Sequence, residues 1–267
     1  MHYQHITGVP DFEATEYREK SSNYCVLIPI INEGNRIAQE LMRAECYHIP
    51  EKYDIIICDG NSTDDCTKEE TLRSLGVNAL LIKLGAGKQG AQLRMGFWWA
   101  LQRGYKGFIT IDGNNKDSIE DIPSFVEKLE NGYDFVQGSR FIKGGHAINT
   151  PWIRYLSVRL LHAPVISLTA RHWFTDTTNA FRAYSRKYIE HPGLQVFRDI
   201  FISYELLAYL SVRATQLGLR VCEVPVTREY PKGEKAPTKI SPFKGNLTLI
   251  RILYENLRGK YKPRELQ

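Results

Sequence analysis

No stretch of this 267-residue chain is built to cross a bilayer: no run of uncharged apolar residues approaches the roughly 20 that a spanning helix needs. Cysteine is scarce as well. The five thiols are an odd number without metal-ligand spacing, and Cys58 and Cys66, which flank one loop, have no second Cys/His pair to complete a site. That excludes a disulfide scaffold and a zinc centre, and it reads as the reduced thiols of a cytosolic protein. Repeats and low-complexity tracts are absent, so neither a solenoid nor a long disordered linker is expected. Met1 to Ser22 is polar and acidic and lacks the apolar centre of a signal peptide. Charge of one sign does not dominate either: 35 Lys and Arg against 30 Asp and Glu leave +5. So small an excess does not argue for a nucleic-acid partner; it suits an anionic substrate or an anionic membrane surface. Lys88 follows a glycine-rich loop, but Gly-x-x-x-x-Gly-Lys-Ser/Thr is missing, which excludes a P-loop. No nuclease, kinase or serine-hydrolase constellation occurs.

What the chain does have is two apolar strand-like runs that each end on Asp-Gly-Asn. They are Asp54-Ile55-Ile56-Ile57-Cys58-Asp59-Gly60-Asn61 and Gly107-Phe108-Ile109-Thr110-Ile111-Asp112-Gly113-Asn114. Continuous β-branched runs are what a parallel sheet covered on both faces requires. A carboxylate at the carboxyl end of such a strand stands where open α/β sheets bind ligands. A single aspartate there is more often a helix cap or turn former; two of them, each followed by glycine, point to a nucleotide site.

Around these runs, strands and helices alternate. A first strand covers Tyr24 to Ile30; Asn32-Glu33-Gly34-Asn35 then opens a helix to about Tyr47, with Asn32 or Asn35 as its cap. The second strand ends at Asp59, and Ser62 to Asp65 caps a helix reaching about Leu75. A third strand, Ala79 to Leu84, enters the loop Gly85-Ala86-Gly87-Lys88-Gln89-Gly90 and a helix to about Arg103. The fourth strand ends at Asp112, a helix covers Ile119 to Asn131, and Asp134 to Arg140 is a fifth strand with its exit. This alternation predicts a doubly wound α/β sheet. The second half is less regular: helices over Trp152 to Ala170 and Arg198 to Leu217, a short strand and loop at Thr175 to Tyr184, and a strand at Arg220 to Val226. A Pro- and Lys-rich loop from Tyr230 to Pro242 leads into a basic helical tail, Phe243 to Leu257.

Set in order, these pieces resemble family 2 glycosyltransferases. Pro29-Ile30-Ile31-Asn32-Glu33 is similar to their opening Pro-x-Tyr-Asn-Glu, and Cys58-Asp59-Gly60-Asn61-Ser62-Thr63-Asp64 to their Asp-Asp-Gly-Ser-x-Asp loop. Asp112-Gly113-Asn114 sits at their Asp-x-Asp, followed by Glu120-Asp121-Ile122-Pro123. Gly138-Ser139-Arg140-Phe141-x-x-Gly144-Gly145 and Asp176-x-Thr178-Asn179-Ala180-Phe181-Arg182-Ala183-Tyr184 resemble motifs of the dolichyl-phosphate and polyprenyl-phosphate mannose synthase branch. Glu223-Val224-Pro225-Val226-Thr227 resembles its last core strand. The match runs over roughly residues 23 to 230.

The resemblance implies a single GT-A-like α/β domain over 23–230 with a mixed, mostly parallel sheet. A polar extension would cover 1–22, and a basic loop and amphipathic helix 231–267. It implies an inverting hexosyltransferase that uses a nucleotide diphosphate sugar. The acceptor would be a polyprenyl phosphate or a hydroxyl on a surface glycan. Pro29, Ile31, Glu33, Ile57 and Asp59 would bind the nucleotide; Asp112, Gly113, Asn114, Lys116 and Arg140 would bind the diphosphate and sugar. A Mg2+ or Mn2+ ion would be held by Asp112 and Asn114, because two anions otherwise repel. This holding is weaker than in a two-carboxylate site, since Asn114 carries no charge. Lys116 stands where the resembling synthases have glutamine; it either touches phosphate directly or is simply solvated. Arg140 suits an anion clamp or an ion pair with a helix acid. Asp176 is the candidate general base, or the cap of the loop around Thr177 and Thr178. A phosphate acceptor needs no base; then Arg154, Arg182, Arg228, Lys232 and Lys235 would clamp acceptor or diphosphate. The expected place is cytoplasmic or peripheral on the membrane's cytoplasmic face, with the tail either lying on lipid or packing on the core. Two other readings remain open at this level. A sugar-1-phosphate nucleotidyltransferase shares the fold but would want Gly-Gly-x-Gly-Thr-Arg-Leu, which is missing. A non-catalytic nucleotide-sugar-binding protein would fit a decayed Asp-x-Asp.

Overall fold

A computed structural model describes residues 1–232 and 244–263. Eleven strands are present among them: β1 His2–Tyr3, β2 Phe12–Glu16, β3 Tyr24–Ile30, β4 Asp54–Asp59, β5 Val77–Lys83, β6 Gly107–Thr110, β7 Phe135–Ser139, β8 His146–Ile148, β9 Arg182–Ser185, β10 Val221–Pro225 and β11 Thr227–Glu229. Nine form one sheet in the order β1-β2-β5-β4-β3-β6-β9-β7-β10, while β8 and β11 pair as a separate ribbon. Within the large sheet, β2 and β9 run against the other strands.

The helices are α1 Asn35–Cys46, α2 Ile49–Lys52, α3 Glu69–Ser74, α4 Gln89–Gln102, α5 Ile122–Glu130, α6 Trp152–Ser157, α7 Ala163–Ala170, α8 Arg186–Ile189, α9 Glu205–Gln216 and α10 Lys244–Leu257. Alternation along the central strands divides their side chains between two cores. Leu27, Ile56 and Cys58 face α4 and α9; Val26, Ile28, Ile55 and Ile57 face α1 and α5. Both faces are buried, which is why these runs show no polar alternation.

The leading 22 residues are not merely an extension. β2 adds to the edge of the sheet against β5, and Phe12 is fully buried in the core. Its short run, Phe-Glu-Ala-Thr-Glu, alternates as an edge strand with one solvated face does. The helix expected from Arg198 begins only at Glu205. The preceding residues instead form an irregular crossing over the start of α4, where Lys88 N–H donates to the Ile202 carbonyl (2.8 Å). Gly90 permits this approach: a Cβ there would lie 2.6 Å from the Ser203 carbonyl oxygen.

The long helix from Trp152 is continuous but contains a π-helical stretch, Val158–His162, between α6 and α7. Pro164 accounts for the widening: it lacks an N–H, and its ring crowds the carbonyl one turn earlier. The tail helix α10 packs on α7 and α9. Ile252, Leu253 and Tyr261 join the core, and Asn256 donates to the Ala208 carbonyl (3.0 Å). No helix among the described residues is long and apolar enough to cross a membrane.

Candidate active site

Strand order reverses at β3, whose neighbours are β4 on one side and β6 on the other, so a crevice opens at their carboxyl ends. Two loops laced together form its first wall. Asn32 N–H donates to Ser62 Oγ (2.9 Å), Thr63 N–H to Asn32 Oδ1 (2.7 Å) and Gly34 N–H to Asp64 Oδ2 (2.8 Å). Gln92, on α4, donates to the carbonyls of both Ile30 (2.6 Å) and Cys58 (2.8 Å), fixing the ends of β3 and β4 together.

Asp59 is buried and accepts from Ser62 Oγ (2.5 Å), Ser62 N (2.9 Å) and Asn61 N (3.1 Å). Burial raises its pKa against the pull of these donors. Its hydrogen-bonding capacity is thus turned on its own loop, which it shapes as an Asx turn. Ile57 is displaced from the expected nucleotide contacts: it is fully buried in the α1/α5 core, because strand alternation points it there. Pro29 and Ile31 are half-buried at the strand end, and Glu33 pairs with Arg36 (2.8 Å).

The second wall is the turn after β6. Gly113 packs so closely on β3 that a Cβ would lie 2.4 Å from Ile30 Cγ2. This sets the Asp112 carboxylate, about a quarter exposed, at the crevice floor. Gln89 donates to its Oδ1 (3.0 Å), and Arg228 (3.3 Å) and Asn114 (3.4 Å) approach Oδ2. Arg228 also holds Asp117; burial works against its charge, and the Asp117 and Asp112 carboxylates outweigh it and raise its pKa. Lys116 is buried, not solvated, with its ammonium 5.2 Å from the centre of the Tyr230 ring. Burial and the neighbouring Arg228 lower its pKa.

Several residues here carried no sequence signal of their own. Glu40 of α1 is fully buried and accepts from the N–H of Asn115 (2.8 Å), a residue in left-handed conformation. Burial pushes the Glu40 carboxyl well above its usual range. Tyr204 lies near enough for the charges of Asp112 and Arg154 to act on its phenol. Only three-dimensional placement joins α1 and the 198–204 crossing to the Asp112 turn.

Arg140 and Asp176 are brought together, and against each other. The buried guanidinium donates from Nε to Asp176 Oδ2 (2.6 Å) and from Nη2 to Oδ1 (2.9 Å), and Thr178 Oγ1 accepts a third bond (2.9 Å). Burial alone would raise the Asp176 pKa, but the Arg140 charge holds it below the ordinary value. In this geometry both Asp176 oxygens and the Arg140 guanidinium are engaged with each other. Glu223 pins the same loop from β10 through Thr175 N–H (2.9 Å) and Asp176 N–H (3.2 Å).

Arg182, expected among the acceptor or diphosphate clamps, is buried and donates to the carbonyls of Asn179 (2.9 Å), Leu207 (2.6 Å) and Thr177 (2.9 Å), so it braces those loops. Arg154 does reach the site, donating to the Tyr230 hydroxyl (2.7 Å). Lys232 is exposed, and Lys235 lies outside the described residues.

Among the described residues no three His, Cys, Asp or Glu side chains gather as a metal set. The oxygens at Asp112 nonetheless fit a hard cation. Gln89 Oε1 and Asn114 Oδ1 are buried without a hydrogen-bond donor, and with one Asp112 oxygen they make a donor set of low charge.

A family model for glycosyl transferase family 2 matches residues 25–193. The chain belongs to that family. This glycosyltransferase is accordingly a nucleotide-sugar-dependent enzyme of GT-A-like fold. It is 25% identical over 246 residues to the polyprenol monophosphomannose synthase of Mycolicibacterium smegmatis, covering 88% of this chain and 87% of that one. To the undecaprenyl-phosphate mannosyltransferase of Micrococcus luteus it is 29% identical, covering 80% and 86%. In structure it is similar to glucosyl-3-phosphoglycerate synthase of Mycobacterium tuberculosis, solved with Mn2+, UDP and phosphoglyceric acid. That match has a TM-score of 0.63 at 16% identity and covers 91% of this chain and 80% of the other.

Proposed function

We propose that this glycosyltransferase moves a hexose from a nucleotide diphosphate sugar to a polyprenyl phosphate, inverting the anomeric carbon. The observation that carries the choice of acceptor is the Arg140–Asp176 pair. A hydroxyl acceptor must lose its proton to a base in the transition state, and the carboxylate placed by sequence for that task is bound at both oxygens. A phosphate is already an anionic nucleophile and needs no such base. The relatives that act on lipid phosphates support the same reading.

The chemistry is then a single displacement. An acceptor phosphate oxygen forms a bond to the anomeric carbon as the bond to the diphosphate oxygen breaks. The electron pair leaves with the nucleoside diphosphate. The laced 31–34 and 60–64 loops would receive the nucleotide. Asp112 and Asn114 Oδ1 would hold a divalent cation, which supplies charge neutralisation for the leaving diphosphate. Arg154, with Tyr230 beside it, would meet the acceptor phosphate.

A lipid acceptor requires a route to the membrane. Trp152 (71% exposed), Ile153, Leu156 and Leu160 (72%) leave a broad apolar surface on the long helix, with Arg154 and Arg159 interleaved. A basic, apolar helical face of this kind binds an anionic bilayer peripherally. The tail helix seats Ile252 and Leu253 on the core and leaves Leu247, Ile250, Tyr254 and Leu257 exposed, a second apolar face that could meet the bilayer.

Comparing a short-chain polyprenyl phosphate with the same polyprenol tests the acceptor. Transfer to the phosphate alone is expected. Transfer to the alcohol, or only to soluble saccharides, would overturn the reading.

A further inference from the structure

We propose that Lys116, beside Arg228, supplies a fixed positive charge to the donor diphosphate, so that nucleotide binding and sugar transfer persist when divalent cations are removed. The inference rests on the reading that the Asp112 turn receives the diphosphate.

Charge accounting at the turn favours it. A dication between two carboxylates presents no net charge of its own to an incoming diphosphate. One carboxylate and one ammonium present the same, with no metal. Here the second carboxylate position is Asn114, which is neutral, and two residues on stands Lys116, which is cationic. The two departures from Asp-x-Asp thus compensate each other in charge.

Geometry agrees with that accounting. Lys116 is only 6% exposed, and its carbonyl is tied to Glu229 N–H (2.8 Å), so its backbone is held against β11. Arg228, on the same strand, lies 3.3 Å from Asp112 and bridges to Asp117, and Arg154 stands across the Tyr230 ring. A dication at Asp112 must therefore compete with a guanidinium already on that carboxylate and with a second cation nearby. Among the described residues, Lys116, Arg228 and Arg154 gather about the Tyr230 ring, and Arg228 holds Asp112 and Asp117. A cluster of basic groups suits a bound anion, and a diphosphate in turn favours the ammonium form of Lys116. The set is pre-formed, which is the arrangement that stabilises charge developing on a leaving group.

Titration calorimetry with UDP and with GDP in EDTA tests this without relying on turnover. At least one nucleotide is expected to bind the wild type in EDTA, with affinity changed less than about threefold by Mn2+. Lys116→Gln should weaken that EDTA binding at least tenfold. The double change Asn114→Asp with Lys116→Gln should make binding dependent on Mn2+, and turnover in EDTA should follow the same order. Wild-type binding that vanishes in EDTA and returns with Mn2+ overturns the proposal, as does unchanged affinity in Lys116→Gln. Failure of both nucleotides to bind with or without Mn2+ overturns the diphosphate assignment of the turn itself, and the proposal with it.

Discussion

Asp112 is the carboxylate whose surroundings are most plainly arranged for a ligand, because it alone among the predicted site acids keeps an exposed edge between neutral and cationic partners. Asp112→Asn should lower kcat on the order of a hundredfold, the scale of losing one pre-organised electrostatic group, as steady-state kinetics would show. Arg140 and Asp176 belong to a different kind of experiment. Removing either leaves its partner's charge buried, and such loss costs about 3–5 kcal/mol, whereas replacing both by apolar residues of similar volume costs less. Urea midpoints of Arg140→Met, Asp176→Leu and the double variant should show that order. The pH dependence has a definite sign. Asp176 has a folded pKa below its usual 3.8, so its contribution is complete above that value and is lost as pH falls through the lower folded one. Sequence put both residues in motifs and could not show their pairing, because the partners are separated by the whole of β8 and the long helix.

At the scale of elements, the strands were legible and the irregular helices were not. β3, β4 and β6 follow directly from apolar runs that only a doubly covered sheet can bury. The π-helical stretch follows from Pro164 inside an otherwise continuous helix, a local conflict that apolar periodicity alone does not reveal. It places His162 against Thr177 (2.7 Å), where burial, reinforced by the charge of Arg182, lowers the imidazole pKa to about 4. A His kept neutral in the fold but free to protonate when unfolded destabilises as pH falls from its usual 6.5 towards that value. Stability measured across that window should decline, and His162→Asn should remove this part of the slope. The outer face of the same helix carries the membrane prediction. Leu160→Asp should weaken sedimentation with anionic vesicles about tenfold or more, since burying one leucine is worth about 1.5–3 kcal/mol.

For the molecule as a whole, the α/β sheet could be read from the alternation of its elements and the GT-A-like architecture from the resemblance of its motifs, while its edges could not. β1 and β2 are short and carry acidic residues, so their sequence resembles a solvated lead-in until β5 offers an edge to pair with. The tail reads equally as a lipid-facing or a core-packing helix until α7 and α9 present the surface that takes Ile252 and Leu253. The site shows the same division. Loops adjoining strand ends were found, whereas Gln89, Glu40 and Tyr204 reach it from elements whose contacts depend on the finished fold. Sugar transfer to a lipid phosphate is the claim on which the other assignments depend. It is tested most directly by incubating the full chain with labelled nucleotide sugars and a short-chain polyprenyl phosphate, then extracting into organic solvent. With at least one donor, label should enter the organic phase as a single anomer of inverted configuration, and Asp112→Asn should reduce it about a hundredfold. Label released only as free sugar, or carried only by soluble saccharides, would contradict the account.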